Sequence, residues 1–417
     1  MSSGPQLQRR LGTADAVFIG LGSMIGAGVF AAFTPAAQAA GTGLLVGLLV
    51  AALVAACNAL ASAQLAAAFP TSGGTYVYGR MQLGPWWGFF AGWSFIIGKT
   101  ASCAAMALTF ASYAAPAGWE RPVAAAAVVA LVAVNYRGIT RTAQLTRVIV
   151  VLVLIALTVA VTATASAGLP ALASISATSL VAEGPYGLLQ SAGLLFFAFA
   201  GYARIATMGE EVRDPQRTIP RAIIIALSIT IVIYALVAVS LLGALGPEGL
   251  AHSTAPLRVA ARAWPWTGAV VTLGAALASL GALLALIAGI GRTGLAMARE
   301  GDLPRWLAAV HPRFHVPHRS ELVVAFVIVV LVVTVDLRGA IGFSSFGVLL
   351  YYFIANVSAV TQASQRRMFP RAVFIIGAAG CLLLVGTLPL PSVIAGLILL
   401  LVGIAYRLIR VARPRVS

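Results

Sequence analysis

Residues Gly20-Leu21-Gly22-Ser23-Met24-Ile25-Gly26-Ala27-Gly28 put four glycines into nine positions, in the middle of an apolar run over 13–34. A membrane-crossing helix gains nothing from such backbone freedom, since each interior glycine costs about 1 kcal/mol relative to alanine. At mid-depth, unpaired backbone groups survive only where they face a cavity or a ligand. A second interruption, Phe196-Phe197-Ala198-Phe199-Ala200-Gly201-Tyr202, lies in the apolar run over 187–208. Two broken spans in corresponding positions point to an inverted repeat with its binding site at the breaks. Glycines in the first span alone would also suit close helix packing through small residues.

The rest of the chain has the same solvent in view. Sixty per cent of the residues are apolar, nine per cent are charged, and mean hydropathy is +0.98, outside the range of water-soluble domains. Apolar runs near the roughly 20 residues needed to cross about 30 Å of hydrocarbon recur twelve times, at 13–34, 43–68, 86–113, 122–136, 145–167, 187–208, 220–244, 267–298, 321–335, 340–362, 372–387 and 391–410. The fourth, ninth and eleventh are short and the third and eighth long, which predicts tilt or extensions beyond the bilayer.

Charge placement supports an even count. With the N-terminus inside, 22 arginines fall in inner segments and four, Arg121, Arg258, Arg262 and Arg338, in outer loops, as the positive-inside rule requires. Both termini are then expected to be cytoplasmic, in a multi-pass protein of the cell membrane. The formal charge of +16 reports this topology and not a nucleic-acid partner, because the basic residues are spread over every inner loop; anionic lipid is the expected neighbour. Cys57, Cys103 and Cys381 lie inside spans and read as packing residues. Residues 1–12 form a short polar start without a convincing cleavage site, so the first run reads as a helix and not a signal peptide.

The expected organisation is all-α: a cytoplasmic segment 1–12, a first five-helix repeat over 13–167, a second, inverted one over 187–362, two appended helices over 372–410, and a cytoplasmic tail 411–417. Each repeat opens on a broken helix. Five is odd, so the two broken helices enter from opposite sides.

The breaks suit a zwitterionic amino acid. A half-helix starting after Ile25 offers unpaired N–H groups and a positive dipole end to a carboxylate. Carbonyls freed near Met24 and around Phe199, Ala200 and Gly201 can accept from an ammonium. Gly26 and Gly28 allow close approach, while Ser23, Met24, Ala27, Phe199 and Tyr202 are left to shape the side-chain pocket. Phe199 reads either as a gate over the ligand or as ordinary packing. None of the eleven acidic residues lies near mid-span, which favours neutral solutes, because a cationic side chain entering the membrane centre is normally met by a carboxylate. Cationic amino acids or polyamines are the alternative, held by carbonyls or water. A non-transporting solute sensor is the alternative of another class.

Lys99, the only lysine, sits near the middle of the third span. A charge there costs about 2.5–3.5 kcal/mol and is functional by default, so Lys99 is the candidate coupling residue, as a proton carrier or as a fixed charge in place of a coupling cation. Glu210, Glu211 and Arg213, with Arg292 and Arg299 from the end of the eighth span, form either a cytoplasmic gate of ion pairs or a solvated loop. His311, His315 and His318 stand among prolines and arginines and do not read as a metal site. No phosphate-binding loop or nucleophile constellation is present, so neither ATP-driven pumping nor enzymatic chemistry, nor any cofactor, is expected.

At several of these places the sequence resembles the amino acid-polyamine-organocation (APC) superfamily of permeases. The stretch from Gly22 to Phe30 looks like its first-helix signature, and Phe69-Pro70-Thr71-Ser72-Gly73-Gly74-Thr75-Tyr76 followed by Gly92-Trp93 like its second-loop signature. Phe196 to Gly201, Glu210-Glu211, Pro215 and Ile219-Pro220-Arg221-Ala222 match its sixth-helix pattern, and Ala296 to Gly301 with His311 to Phe314 its eighth. The resemblance implies the leucine-transporter-type five-plus-five fold, substrate contacts at the two breaks, and alternating access without ATP. It also exposes departures. Some proton-coupled members carry a helix-five lysine where Val153 aligns, and Lys99 would replace that charge from helix three. Sodium-coupled relatives use helix-eight hydroxyls where Gly281 and Ala282 align, which disfavours sodium and leaves proton symport or exchange. Oligomeric state is not legible.

Overall fold

The computed structural model describes residues 10–71, 73–138 and 143–412. Residues 1–9 and 413–417, together with Ser72 and Arg141, lie outside the described residues, and with them Arg9, Arg413 and Arg415.

Helices dominate the described chain, as expected where every backbone polar group must be paired within its own segment. The first span consists of α1 (Thr13–Met24), α2 (Ala27–Ala31) and α3 (Phe33–Ala40), and the second of α4 (Leu44–Ala68). After a short α5 (Gly74–Leu83) come the third to fifth spans, α6 (Pro85–Ala114), α7 (Glu120–Tyr136) and α8 (Ala143–Ser166). The second repeat opens with α9 (Gly184–Phe199) and α10 (Ala203–Ala206), joined by a 3-10 turn over Ala200–Tyr202. It continues through α11 (Pro215–His252), α12 (Pro256–Ala260), α13 (Thr267–Arg299), α14 (His318–Thr334) and α15 (Leu337–Thr361). The appended pair is α16 (Arg371–Thr387) and α17 (Leu390–Ala412).

Among the described residues nine helices are long and apolar enough to cross a membrane. The fourth, ninth and eleventh expected spans are α7, α14 and α16, each of 17 residues, about 25 Å at 1.5 Å per residue. Boundaries needed correction in two places. The first span runs past 34 to Ala40 and stops at Gly41, whose φ of +53° is open to glycine and costly for other residues. The seventh extends over Pro215–His252 instead of 220–244, bent at Gly246 with φ +66°. The helix α5, between the second and third spans, was missed because its sequence is only weakly apolar. It is short and lies at the end of the molecule where the arginines gather.

Candidate functional site

Helix α1 ends at Met24, and Ile25 and Gly26 take non-helical angles (φ −81°, ψ 49° and φ −93°, ψ −138°) before α2 resumes at Ala27. The first-turn N–H groups of α2 therefore have no partner in their own helix. Across from them α9 tightens into the turn Ala200–Tyr202 and restarts as the four-residue α10. The two interruptions touch backbone to backbone. A Cβ on Gly28 would lie 2.5 Å from Ala198 Cα, and one on Gly201 would lie 2.2 Å from the Ser23 carbonyl oxygen. On the third side a Cβ on Gly26 would meet Ala282 of α13 at 3.0 Å. Met24, Ile25, Ala27, Gly28, Phe199, Ala200 and Tyr202 are buried, Ser23 and Gly201 sit beside them, and the Phe199 ring packs 5.0 Å from Tyr234.

The carbonyls freed by the breaks are already in use. Tyr234 of α11, fully buried, reaches Met24 O at 2.6 Å and Ala198 O at 2.9 Å with one hydroxyl, so a single phenol ties both broken helices together. Nothing local in the sequence marks Tyr234, which lies in a long apolar helix far from either break. Leaving a buried acceptor unpaired costs about 1–3 kcal/mol. Tyr234→Phe is therefore expected to slow solute uptake in proteoliposomes about tenfold or more without loss of the folded protein, and uptake at the wild-type rate would refute this role.

Lys99 is also brought to the break. Its side chain, 6% exposed, crosses from α6 to donate to the Ala200 carbonyl at 3.1 Å, and the Tyr352 hydroxyl of α15 donates to the same oxygen at 3.1 Å. Lys99 has no ion pair among the described residues. Val153 is buried in apolar packing. On α13 the Ser279 hydroxyl is buried without a hydrogen-bond partner.

The residues expected at a cytoplasmic gate lie between α10 and α11 and in the second half of α13. Among the described residues Glu211 pairs with Arg204 at 3.7 Å, while Arg213, Arg292 and Arg299 form no ion pair. The loop is organised by main chain instead, since Arg10 N and Leu11 N donate to Glu211 O at 3.1 Å and Arg213 N to Leu11 O at 2.9 Å. This ties the start of α1 to the segment after α10. Two ion pairs at the arginine-rich end meet on Asp302, which accepts from Arg80 at 3.0 Å and Arg407 at 2.5 Å and also from the Tyr76 hydroxyl at 3.0 Å. Burial and the Asp302 carboxylate push the Tyr76 hydroxyl well above its ordinary pKa, so it remains a donor. Arg407 lies over the Trp86 and Phe89 rings at 4.8 and 4.7 Å. His311 and His318 belong to an aromatic cluster with Tyr136 and Phe314.

A cavity of about 700 Å³ opens at the opposite, arginine-poor end, lined among others by Ala31, Thr34, Gln38, Leu108, Asp336 and Arg338. Arg338 donates to Gln38 Oε1 of α3 at 3.2 Å and to Gln190 Oε1 of α9 at 3.0 Å, clasping both broken spans from α15.

Two interrupted helices in contact, heading two blocks of five, are the geometry of a carrier with a central site, and residues 11–408 match the amino acid permease family. The chain belongs to that family. This permease is 60% identical over 408 residues to the uncharacterized transporter Rv1999c of Mycobacterium tuberculosis, covering 96% of this chain and 91% of that protein. It is 26% identical over 420 residues to the methylthioribose transporter of Bacillus subtilis, covering 93% and 90%. Among solved structures, MhsT in complex with L-phenylalanine superposes with a TM-score of 0.61 over 96% of this permease and 100% of that chain, at 15% identity. That likeness establishes the leucine-transporter-type fold, and the family makes the chain a multi-pass transporter.

Proposed function

We propose that this permease carries small neutral amino acids or amino-acid-like solutes across the cell membrane by alternating access, with both termini cytoplasmic and with the proton as coupling ion. The observation that carries this reading is the Lys99 ammonium on the Ala200 carbonyl, 3.1 Å away, inside the break of the sixth span. A carboxylate bound there gains from that charge and from the start of α2. A cationic side chain meets like charge and no acidic partner. The family description is in keeping with an amino-acid solute. Segregation of 22 from four arginines supports the orientation. Gly281 and Ala282, where sodium-coupled relatives place hydroxyls, support proton over sodium.

Ser23, Met24, Ile25, Gly26, Ala27 and Gly28 then hold the main-chain end of the solute, and Phe199, Ala200, Gly201 and Tyr202 border its side chain. Lys99 is the coupling group. Uptake in proteoliposomes, run across pH with alanine, leucine, arginine and putrescine, tests the assignment. Alanine or leucine is expected to accumulate under an inward proton gradient, with arginine and putrescine excluded. Lys99→Ala is expected to lower accumulation at least tenfold and to remove its pH dependence; an unchanged rate and pH profile would sink the role of Lys99. Label that binds but never accumulates or exchanges would identify a sensor instead.

A further inference from the structure

Behind the Ala200 turn, α4, α15 and α16 enclose a group of polar side chains, of which Tyr202, on the turn itself, also borders the proposed solute site. Asn58, Tyr202, Tyr352, Asn356 and Cys381 are all fully buried. Asn356 Nδ2 donates to Asn58 Oδ1 at 2.6 Å, and Cys381 Sγ to the same oxygen at 3.4 Å. Among the described residues, three polar atoms of this group lack a partner in good hydrogen-bond geometry, namely Asn58 Nδ2, Asn356 Oδ1 and the Tyr202 hydroxyl, which lies close to both Tyr352 and Asn58. Six residues further on, at Gln64 of α4, about 9 Å along at the helical rise, and at Gln362 just past the end of α15, a second amide pair repeats the first. Gln64 Nε2 donates to Gln362 Oε1 at 2.7 Å, and Gln64 Oε1 accepts from Met368 N at 2.9 Å and Phe369 N at 3.3 Å. Gln362 Nε2 is again buried and unpartnered. This second pair lies at the arginine-rich end, beside Arg367.

Orphaned buried donors and acceptors are rare in native interiors, and where several share one polar region they are satisfied by water. Apolar packing alone would select none of these side chains. We propose that this region is a hydrated conduit, leading away from the solute site, through which a proton travels between Lys99 and the arginine-rich end of the molecule. The inference rests on the coupling role given to Lys99 above. Tyr352 forms the junction, because its hydroxyl shares the Ala200 carbonyl with the Lys99 ammonium and its ring lies 4.8 Å from that of Tyr202. In unloading, an N–H bond of the ammonium breaks, the electron pair stays on Nζ, and the proton passes to a bridging water; reloading reverses the step. The titratable groups along the way are Cys103 on the Lys99 helix, Tyr351 and Tyr352 on α15, Tyr202 on the turn, Cys57 on α4 and Cys381 on α16. Among the described residues no carboxylate or imidazole forms a hydrogen bond or ion pair with Lys99, Tyr202, Tyr352 or Cys381, and the guanidinium of Arg367 stands at the far end, donating to Gln362 O at 3.1 Å.

The test replaces both members of the first amide pair, Asn58→Leu with Asn356→Leu, since removing two partners together leaves less unsatisfied than removing one. Reconstituted protein is assayed for proton-driven accumulation of alanine or leucine, for solute-induced proton uptake with a trapped pH dye, and for solute–solute exchange. The expected result is at least a tenfold loss of accumulation and of proton uptake, with exchange near wild type. Unchanged accumulation and proton uptake in the double variant, with both lost in Lys99→Ala, would overturn the conduit and leave the Lys99 reading standing. If Lys99→Ala also keeps both, the two fall together. A measurement on the unaltered protein covers a variant that does not fold. In hydroxyl-radical footprinting, Cys381 and Tyr202 should be labelled rapidly despite their burial while the equally buried Tyr113 is not; labelling of all three at the slow rate of Tyr113 would overturn the proposal.

Discussion

Gly201→Ala is expected to reduce transport at least a hundredfold, to the background of empty proteoliposomes, while Gly289→Ala leaves it near the wild-type rate. The difference lies in what each new methyl group meets. At position 201 the added carbon would stand 2.2 Å from Ser23 O, 2.3 Å from Ser23 C and 2.5 Å from Met24 N, all main-chain atoms of the opposite break. No side-chain rotation relieves such a contact, so one broken helix must move away from the other. Overpacking costs about 1–3 kcal/mol in ordinary cores, where side chains can give way; here the displaced atoms belong to the segment proposed to bind the solute. At Gly289 nothing lies within 4 Å of the added carbon. Both variants make the same helix-favouring change, which controls for propensity. Measurable uptake by Gly201→Ala close to wild type would show that the two breaks do not need their contact.

Asp302→Ala is expected to produce the largest loss of stability. Asp302 and Arg407 are 6% and 7% exposed, and the aspartate also holds Arg80 and Tyr76. Removing one member of a buried pair strands the other charge, at a cost of about 3–5 kcal/mol. The pair joins the loop after α13 to α17, and Arg407 continues to Pro85 O at 3.0 Å at the head of α6, so its loss should loosen the appended helices from the repeats. The thermal midpoint of the purified protein in detergent is expected to fall well below wild type. Adding Arg407→Met to the same chain should recover much of the loss, because no unpaired guanidinium then remains. A midpoint for Asp302→Ala within error of wild type would refute the strut.

The contrast between these two sites explains what was legible in advance. The breaks at Ser23–Gly28 and Phe199–Tyr202 could be read because the signal is local: glycines and aromatics interrupt runs that hydrocarbon otherwise makes uniformly apolar. Lys99 could be singled out for the same reason, a lone charge in a span. Its partner could not. Nothing in the neighbourhood of Lys99 names Ala200, 101 residues away, and Tyr234 and Tyr352 look like any other aromatic residue in a membrane helix. The charged groups show the same limit. Glu210, Glu211 and Arg213 stood together in sequence, whereas the buried ion pairs formed around Asp302, whose partner Arg407 is 105 residues distant.

By itself, then, the sequence determined the solvent, the succession of apolar spans, the sidedness expected of the arginines and the two interruptions, because each is set by the free energy of a short segment in hydrocarbon. Tertiary structure alone decided which donors take the carbonyls that the interruptions release, and which charges are buried together. Those choices depend on side chains from different helices arriving within about 3 Å of one another, a distance that hydrogen bonding demands and that helix packing alone can supply.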